Sequence, residues 1–230
     1  MEDNPAILYV EDDPTLGYVT QDNLIRRGYN VHLCDNGNDA LSEYNKGIYN
    51  IIVLDIMLPK LDGISVARNI RRNDKEIPII FLTAKSLLED KLEGLSIGGD
   101  DYIIKPFSIE ELVLKIDIFL KRSKIFEQKQ LKGNTNVGKY IFDGNMLTLT
   151  IDNNVQKLTL READLIAYFI KNKGKLVPRD EILNTVWGND DYFVGRSLDV
   201  FISRLRKYFK HDPDIKIENR HGIGFVFSIK

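Results

Sequence analysis

The sequence predicts an α/β fold, a five-stranded, doubly wound parallel sheet, followed by a smaller α+β unit. Three observations carry that expectation. Apolar runs of strand length alternate five times with helix-length amphipathic stretches over residues 1–122, a spacing that demands crossovers and hence a parallel sheet. Short alternating runs separated by Asn, Asp and Gly turns take over after residue 136, as in antiparallel hairpins. Charge also divides the chain: residues 1–122 hold 14 Lys and Arg against 21 Asp and Glu, residues 123–230 hold 18 against 13. An acidic half joined to a basic half points to a polyanion as partner of the second alone.

At 230 residues the chain has room for two ordinary domains. The expected division is 1–122, a polar, glycine-containing linker at 123–136, and 137–230. No apolar run is long enough to span a bilayer, and Met1-Glu2-Asp3-Asn4-Pro5 lacks the basic and apolar regions of a signal peptide. The expected location is the cytoplasm, with no membrane partner. The single cysteine, Cys34, allows no internal disulfide and suits a reducing compartment.

In chain order, strands are expected at 7–10, 30–33, 51–54, 79–82 and 102–104, with helices near 14–27, 37–46, 63–72, 87–98 and 109–122. The first strand ends in Glu11-Asp12-Asp13-Pro14. Asp13 and Pro14 suit the cap and first position of the next helix, which leaves Glu11 and Asp12 unexplained as caps. The third strand, Ile51-Ile52-Val53-Leu54, reads as buried on both faces and meets Asp55 before Pro59 and Asp62-Gly63 turn the chain. Carboxyl ends of strands form the ligand-binding rim of such sheets. Two carboxylates about 5 Å apart repel by roughly 3 kcal/mol at an effective dielectric of 20, so Glu11, Asp12 and Asp55 together call for a cation. An all-oxygen set suits Mg²⁺. The fourth strand adds a hydroxyl and a small residue, Thr83-Ala84, and the fifth an ammonium at Lys105, before Pro106. Acids, a nucleophilic carboxylate, a hydroxyl and an ammonium at one rim suit phosphoryl transfer to a carboxylate.

Those residues, with Met57-Leu58-Pro59 and Asp100-Asp101-Tyr102 before Lys105-Pro106-Phe107, resemble the flavodoxin/CheY-like receiver domain of bacterial two-component response regulators. The resemblance implies that Asp55 accepts a phosphoryl group from a sensor histidine kinase. It implies that Glu11, Asp12, Asp55 and the Met57 carbonyl hold Mg²⁺ (or Mn²⁺), and that Thr83, Ala84 and Lys105 bind phosphoryl oxygens. Drawing Thr83 onto the new oxygens opens space behind it, which makes Tyr102 the expected switch partner. It further implies a homodimer formed on phosphorylation, pairing Lys91 with Glu111, Asp101 with Lys115 and Asp100 with Arg122. Lys115 departs from the usual Arg there and loses a bidentate donor.

In the second half, strands are expected at 138–142, 146–151 and 155–158, helices near 162–172, 179–187 and 196–209, and a closing hairpin of 215–218 and 225–229. The third helix sets Leu198, Phe201, Ile202, Leu205, Tyr208 and Phe209 on one face and Arg196, Val200, Ser203, Arg204, Arg206 and Lys207 on the other. Arg reads guanine edges, Val meets a thymine methyl and Ser reaches a phosphate. Arg220 and His221 at the hairpin tip suit a minor groove. Leu158-Thr159-Leu160-Arg161-Glu162, Val186-Trp187-Gly188, Arg196-Ser197-Leu198-Asp199-Val200, Arg204-Leu205-Arg206-Lys207 and Gly222-Ile223-Gly224-Phe225 resemble the winged helix-turn-helix domain of the OmpR/PhoB class. His221 stands where the family usually has Arg, and Ser203 where some members have a further Arg.

The expected function is therefore a phosphorylation-controlled transcription regulator that binds double-stranded DNA at tandem half-sites, with RNA polymerase as a further partner. It is not an enzyme beyond its own phosphorylation and dephosphorylation. Two other readings remain at this point. A Mg²⁺-dependent phosphatase would turn over external phosphomonoesters, although Met57 stands where a second general acid is wanted. A constitutive DNA-binding protein with a purely structural first domain would show no Mg²⁺-dependent labelling.

Overall fold

The structure, a computed structural model, describes residues 4–84, 98–128, 134–187 and 194–230, of which 121–128 and 194–197 are described by backbone alone. The chain divides into two compact units, Met1–Ile125 and Phe126–Lys230.

The first unit runs β1 (Ala6–Val10), α1 (Pro14–Arg26), β2 (Asn30–Cys34), α2 (Gly37–Tyr44), β3 (Ile51–Asp55), α3 (Gly63–Asn73), β4 (Ile79–Ala84), β5 (Asp101–Lys105) and α4 (Ile109–Gln128). The five strands form one sheet in the order β2-β1-β3-β4-β5, parallel throughout. Every residue of β1 and β3 is buried, which is why their sequences are continuous apolar runs rather than alternating ones. Helix starts are fixed by side chains that satisfy orphan amides: Asp13 accepts from Thr15 N and Leu16 N, Asn36 from Asn38 N and Asp39 N, and Asp62 from Ser65 N. Most of the helix expected at 87–98 lies outside the described residues.

One correction concerns α4, which continues to Gln128, six residues into the expected linker. Glu, Gln, Lys and Ile are adequate helix formers, and the sequence holds no Gly or Pro between Pro106 and Gly133. The polarity of that stretch is therefore compatible with helix.

At the opposite edge of the sheet from Asp55, Arg71 of α3 is almost wholly buried. Its Nε donates to Gly98 O at 2.7 Å, its Nη1 to Asp74 O at 3.2 Å and its Nη2 to Asp100 Oδ2 at 2.8 Å. Asp74 accepts from Glu76 N, Ile77 N and Tyr44 Oη. Burial alone would raise its carboxyl; those hydrogen bonds outweigh burial and hold it below the ordinary carboxylate value. Its stabilisation is complete above the unfolded value of about 3.9 and is lost as pH falls through the lower folded one. Asp74→Asn is expected to flatten the acid limb of melting temperature against pH, and an unchanged limb would assign that limb to other carboxylates.

The second unit runs β6 (Thr135–Val137), β7 (Tyr140–Asp143), β8 (Thr148–Ile151), β9 (Asn154–Lys157), α5 (Leu160–Lys171), β10 (Leu176–Pro178), α6 (Arg179–Trp187), α7 (Val194–Tyr208), a 3₁₀ turn (Phe209–His211), β11 (Ile215–Arg220) and β12 (Gly224–Ile229). The first four strands form an antiparallel sheet, and β10-β12-β11 form another. The strand expected at 138–142 begins only at Tyr140; residues 138–139 are the tight turn of a hairpin that joins β6 to β7. Gly138 turns it with φ +58°, and a Cβ there would lie 2.2 Å from Asp212 Oδ2. Buried Asp212 accepts from Lys139 N at 2.7 Å, so it ties this turn to the end of the 3₁₀ turn. Strand β10 has no counterpart among the expected elements: three residues ending in proline carry too little pattern, and pairing with β12 makes them a strand. Between sheets and helices, Trp187 meets Phe201 edge to face at 5.1 Å and Phe169 stacks on Phe227 at 5.8 Å.

Candidate functional site

The carboxyl edge of the parallel sheet gathers the polar residues of the first unit. Register places Asp55 beside Leu82, Thr83 beside Ile104 and Ala84 beside Lys105, so the tips of β3, β4 and β5 end together. Glu11 follows β1 and continues its ladder, donating N–H to Cys34 O at 3.0 Å. Carboxylate oxygens of Glu11, Asp12 and Asp55 lie within 4.8 Å of one another. Glu11 and Asp55 are buried and Asp12 is exposed. The group is thus two walls and a rim.

Lys105 bridges the two buried acids. Its Nζ lies 2.6 Å from Glu11 Oε2 and also hydrogen-bonds Asp55 Oδ2. Burial alone would lower the lysine; hydrogen bonds and charge from Asp55 and Glu11 prevail and hold it above its ordinary value. Burial pushes the Glu11 carboxyl up, against the pull of the Lys105 ammonium. The chain therefore answers part of the acidic charge with its own cation, and the remainder falls on an all-oxygen set that fits a divalent ion.

The loop after β3 is built to hold Asp55 still. Met57 N donates to Asp55 Oδ1 at 2.9 Å, while the Met57 side chain stands exposed. Lys60 turns the chain with φ +65°, and Gly63 N returns to Ile56 O at 3.0 Å. A Cβ on Gly63 would lie 2.0 Å from the Asp55 carbonyl oxygen, so α3 can start this close to the strand only on glycine.

Thr83 is fully buried, its Oγ1 donating to Ala84 O at 3.3 Å, and Ala84 is exposed. The Tyr102 ring is already buried in this conformation. The residues expected to pair across a dimer divide. Asp100 is buried and engaged by Arg71 within its own subunit. Asp101 and Lys115 contact each other in the same chain, Nζ to Oδ2 at 3.1 Å, and Asp101 is likewise buried. Glu111 is half-buried. Lys91 and the side chain of Arg122 lie outside the described residues. Arg71 escaped the sequence reading, although its place four residues after Ala67 and seven after Ile64 sets it on the buried face of α3.

In the second unit, Ser203 and Lys207 of α7 are exposed and Val200 is half-buried. Two cations of that face also reach acceptors inside their own unit. Arg206 is exposed and donates Nε and Nη2 to Ile217 O at 3.0 and 2.6 Å, fastening α7 to β11. Arg204 is turned inward onto Glu162 at 2.8 Å. Both bends follow from long side chains reaching acceptors on neighbouring elements, which a helical wheel does not contain. Arg220 and His221 are exposed at the hairpin tip, Arg220 with Nη2 3.1 Å from Glu218 Oε2. The Arg196 side chain lies outside the described residues. Arg179 links three elements: Nη2 to Asp199 Oδ2 of α7 at 2.6 Å, N to Ile223 O, and its guanidinium 5.0 Å from the Phe225 ring centroid.

Comparison with known proteins finds a family match in each unit. The family described as response regulator receiver domain matches residues 7–117, and the family described as transcriptional regulatory protein, C terminal, matches 153–227. The transcriptional regulatory protein RprY of Bacteroides fragilis is 41% identical over 226 residues, 98% of this chain and 95% of that one. The response regulator ArlR of Staphylococcus aureus is 38% identical, over 96% and 98% of the two chains. Among solved structures, the response regulator DrrB, a Thermotoga maritima OmpR/PhoB homolog, is similar with a TM-score of 0.51 at 29% identity, covering 98% and 99%.

Proposed function

The chain belongs to the two-component response regulators of the winged-helix OmpR/PhoB class, and from that premise we propose that phosphorylation of Asp55 switches its binding to DNA. The observation that carries this reading is the meeting of Glu11, Asp12, Asp55 and Lys105 at one sheet edge, from three separate strand ends. A phosphorylated histidine of a sensor kinase is the donor. An Asp55 carboxylate oxygen attacks phosphorus, the bond to the imidazole breaks, and the imidazole leaves with the bonding pair. Lys105 keeps an ammonium beside the oxygen that reacts. The added charge is about −1.5 to −2, and Glu11, Asp12, Asp55 and the Met57 carbonyl would hold Mg²⁺ or Mn²⁺, which when bound helps to neutralise it.

Thr83 and Ala84 close the far side of the pocket. Turning the Thr83 hydroxyl from the Ala84 carbonyl onto a phosphoryl oxygen is the local event, and Tyr102 behind it is the group that answers. Receivers in the altered conformation dimerise through Lys91, Asp100, Asp101, Glu111, Lys115 and Arg122. Two tethered DNA-binding units then meet tandem half-sites with a raised effective concentration. Val200, Ser203, Lys207 and Arg196 of α7 face the major groove, and Arg220 and His221 the minor groove. We assign residues 1–122 to the receiver and 137–230 to DNA binding, in the cytoplasm, with RNA polymerase a further partner.

Metal binding has a direct readout. Mg²⁺ at about 100 times its dissociation constant is expected to stabilise the first unit by about 2.7 kcal/mol, seen as a raised melting temperature. Asp12→Asn, on the exposed rim, should remove most of that shift; equal shifts in both proteins would place the ion elsewhere. The functional test is a duplex-binding titration before and after acetyl phosphate, with tighter binding expected after. Identical curves, with labelling demonstrated, would separate phosphorylation from DNA binding and sink the switch.

A further inference from the structure

Glu162, at the third position of α5, is a buried carboxylate shared by three donors. Its Oε2 accepts from Thr159 N at 2.8 Å and closes the capping box. Its Oε1 accepts from Tyr208 Oη at 2.8 Å and pairs with Arg204 Nη1 at 2.8 Å. Both of those partners sit on α7. The arginine is poorly satisfied where it lies. Its guanidinium rests 4.2 Å from the Phe201 ring centroid and its side chain is 12% exposed. Nε and Nη2 are buried and meet no hydrogen-bond acceptor among the described residues. Arg206 on the same helix is the contrast, with Nε and Nη2 both spent on Ile217 O.

A guanidinium presents five donors in a planar fork, and buried donors without acceptors are costly. Guanine offers O6 and N7 as a matched pair in the major groove. Resting on the DNA-binding reading above, we propose that Glu162 is a specificity-determining residue: it withholds Arg204 from the DNA face, and only a duplex with a well-placed bidentate acceptor pair draws the arginine out. On other sequences the exposed cations meet the phosphates while Arg204 stays with Glu162. Departure of Arg204 leaves the carboxylate two donors, Thr159 N and Tyr208 Oη, so the cap survives the exchange. Discrimination is then a difference between two states of one side chain, with the internal carboxylate as competitor against wrong sites.

The test uses the full chain after acetyl phosphate and two probes: a mixed-sequence duplex, and the duplex that the unmodified chain selects from a random pool. Arg204→Met is expected to weaken binding to the selected duplex at least fivefold or so more than to the mixed one, the lower end of a bidentate base contact. Glu162→Gln keeps an acceptor for Thr159 N but frees the arginine. It should tighten binding to the mixed duplex, steepen its salt dependence by up to about 0.9 in the log–log slope, and shrink the ratio between the probes. The double variant should behave as Arg204→Met. Equal losses on both probes for Arg204→Met would make Arg204 a plain phosphate contact and overturn the proposal. So would an unchanged ratio in a Glu162→Gln protein of normal melting temperature. If Glu162→Gln melts early, the Arg204→Met comparison alone decides. An unmodified chain that binds neither duplex would instead remove the DNA-binding reading on which the proposal stands.

Discussion

Asp55→Asn is expected to bring acetyl-phosphate labelling of the chain to background while leaving the first unit folded. The amide has nearly the shape of the carboxylate and can still accept from Met57 N, which donates to Oδ1 at 2.9 Å. It has no charge with which to attack phosphorus. Lys105 would lose one of its two carboxylates and keep Glu11 at 2.6 Å. Removing one of three clustered acids also relieves repulsion, so the variant should melt no earlier than the unmodified chain in the absence of Mg²⁺. Mass spectrometry of the intact protein reads the outcome. A phosphoryl adduct at normal stoichiometry on the variant would move the acceptor to a different residue.

Gly63→Ala is the substitution expected to harm the receiver most for its size. The added methyl would lie 2.0 Å from the Asp55 carbonyl oxygen and 3.0 Å from Ile56 Cα, both backbone atoms of the strand end that carries the site. No side-chain rotation relieves such a contact, so either α3 or the end of β3 must move. Overpacking of this kind costs about 3 kcal/mol, a large part of the 5–15 kcal/mol that holds a domain, and roughly 10 °C of melting temperature for a unit of this length. The labelling rate should fall as well, because Asp55 sits on the segment that shifts. A variant with unchanged melting and labelling would show that the loop tolerates the displacement, and that glycine is dispensable there. Gly28, around which no atom lies within 4 Å of a built Cβ, is a control for position but not for backbone, since its φ is +89°.

The candidate pocket was legible because each of its parts carries a local mark. Buried strands are apolar runs, and a charged or hydroxyl group at the end of such a run has few roles in a packed sheet. Glu11, Asp55, Thr83 and Lys105 each break a run of that kind. The burial of Asp100 and Asp101 was not legible, for the complementary reason. In the sequence they look like any surface acid, and their burial depends on Arg71 and Lys115 arriving from α3 and α4. The internal partners of Arg204 and Arg206 were hidden similarly: a helical wheel assigns a side chain to a face, and a long flexible one can reach from that face to an acceptor on another element. The Glu162 cap itself was visible as Thr159-x-x-Glu162; its second use, as the partner of Arg204 and Tyr208, was not.

Periodicity and punctuation are properties of neighbouring residues, so the amino-acid order alone determined most of the strands and helices, the parallel sheet, the two-unit plan and the kind of chemistry expected at the sheet edge. Which charges answer one another is a matter of distances through space. Lys105 reaches Glu11 across 94 positions of chain and Glu162 reaches Tyr208 across 46, and a charge taken out of water must find its partner wherever packing puts one. Only the folded chain decided those pairings, and with them which acids and arginines are free to meet a metal, a second subunit or DNA.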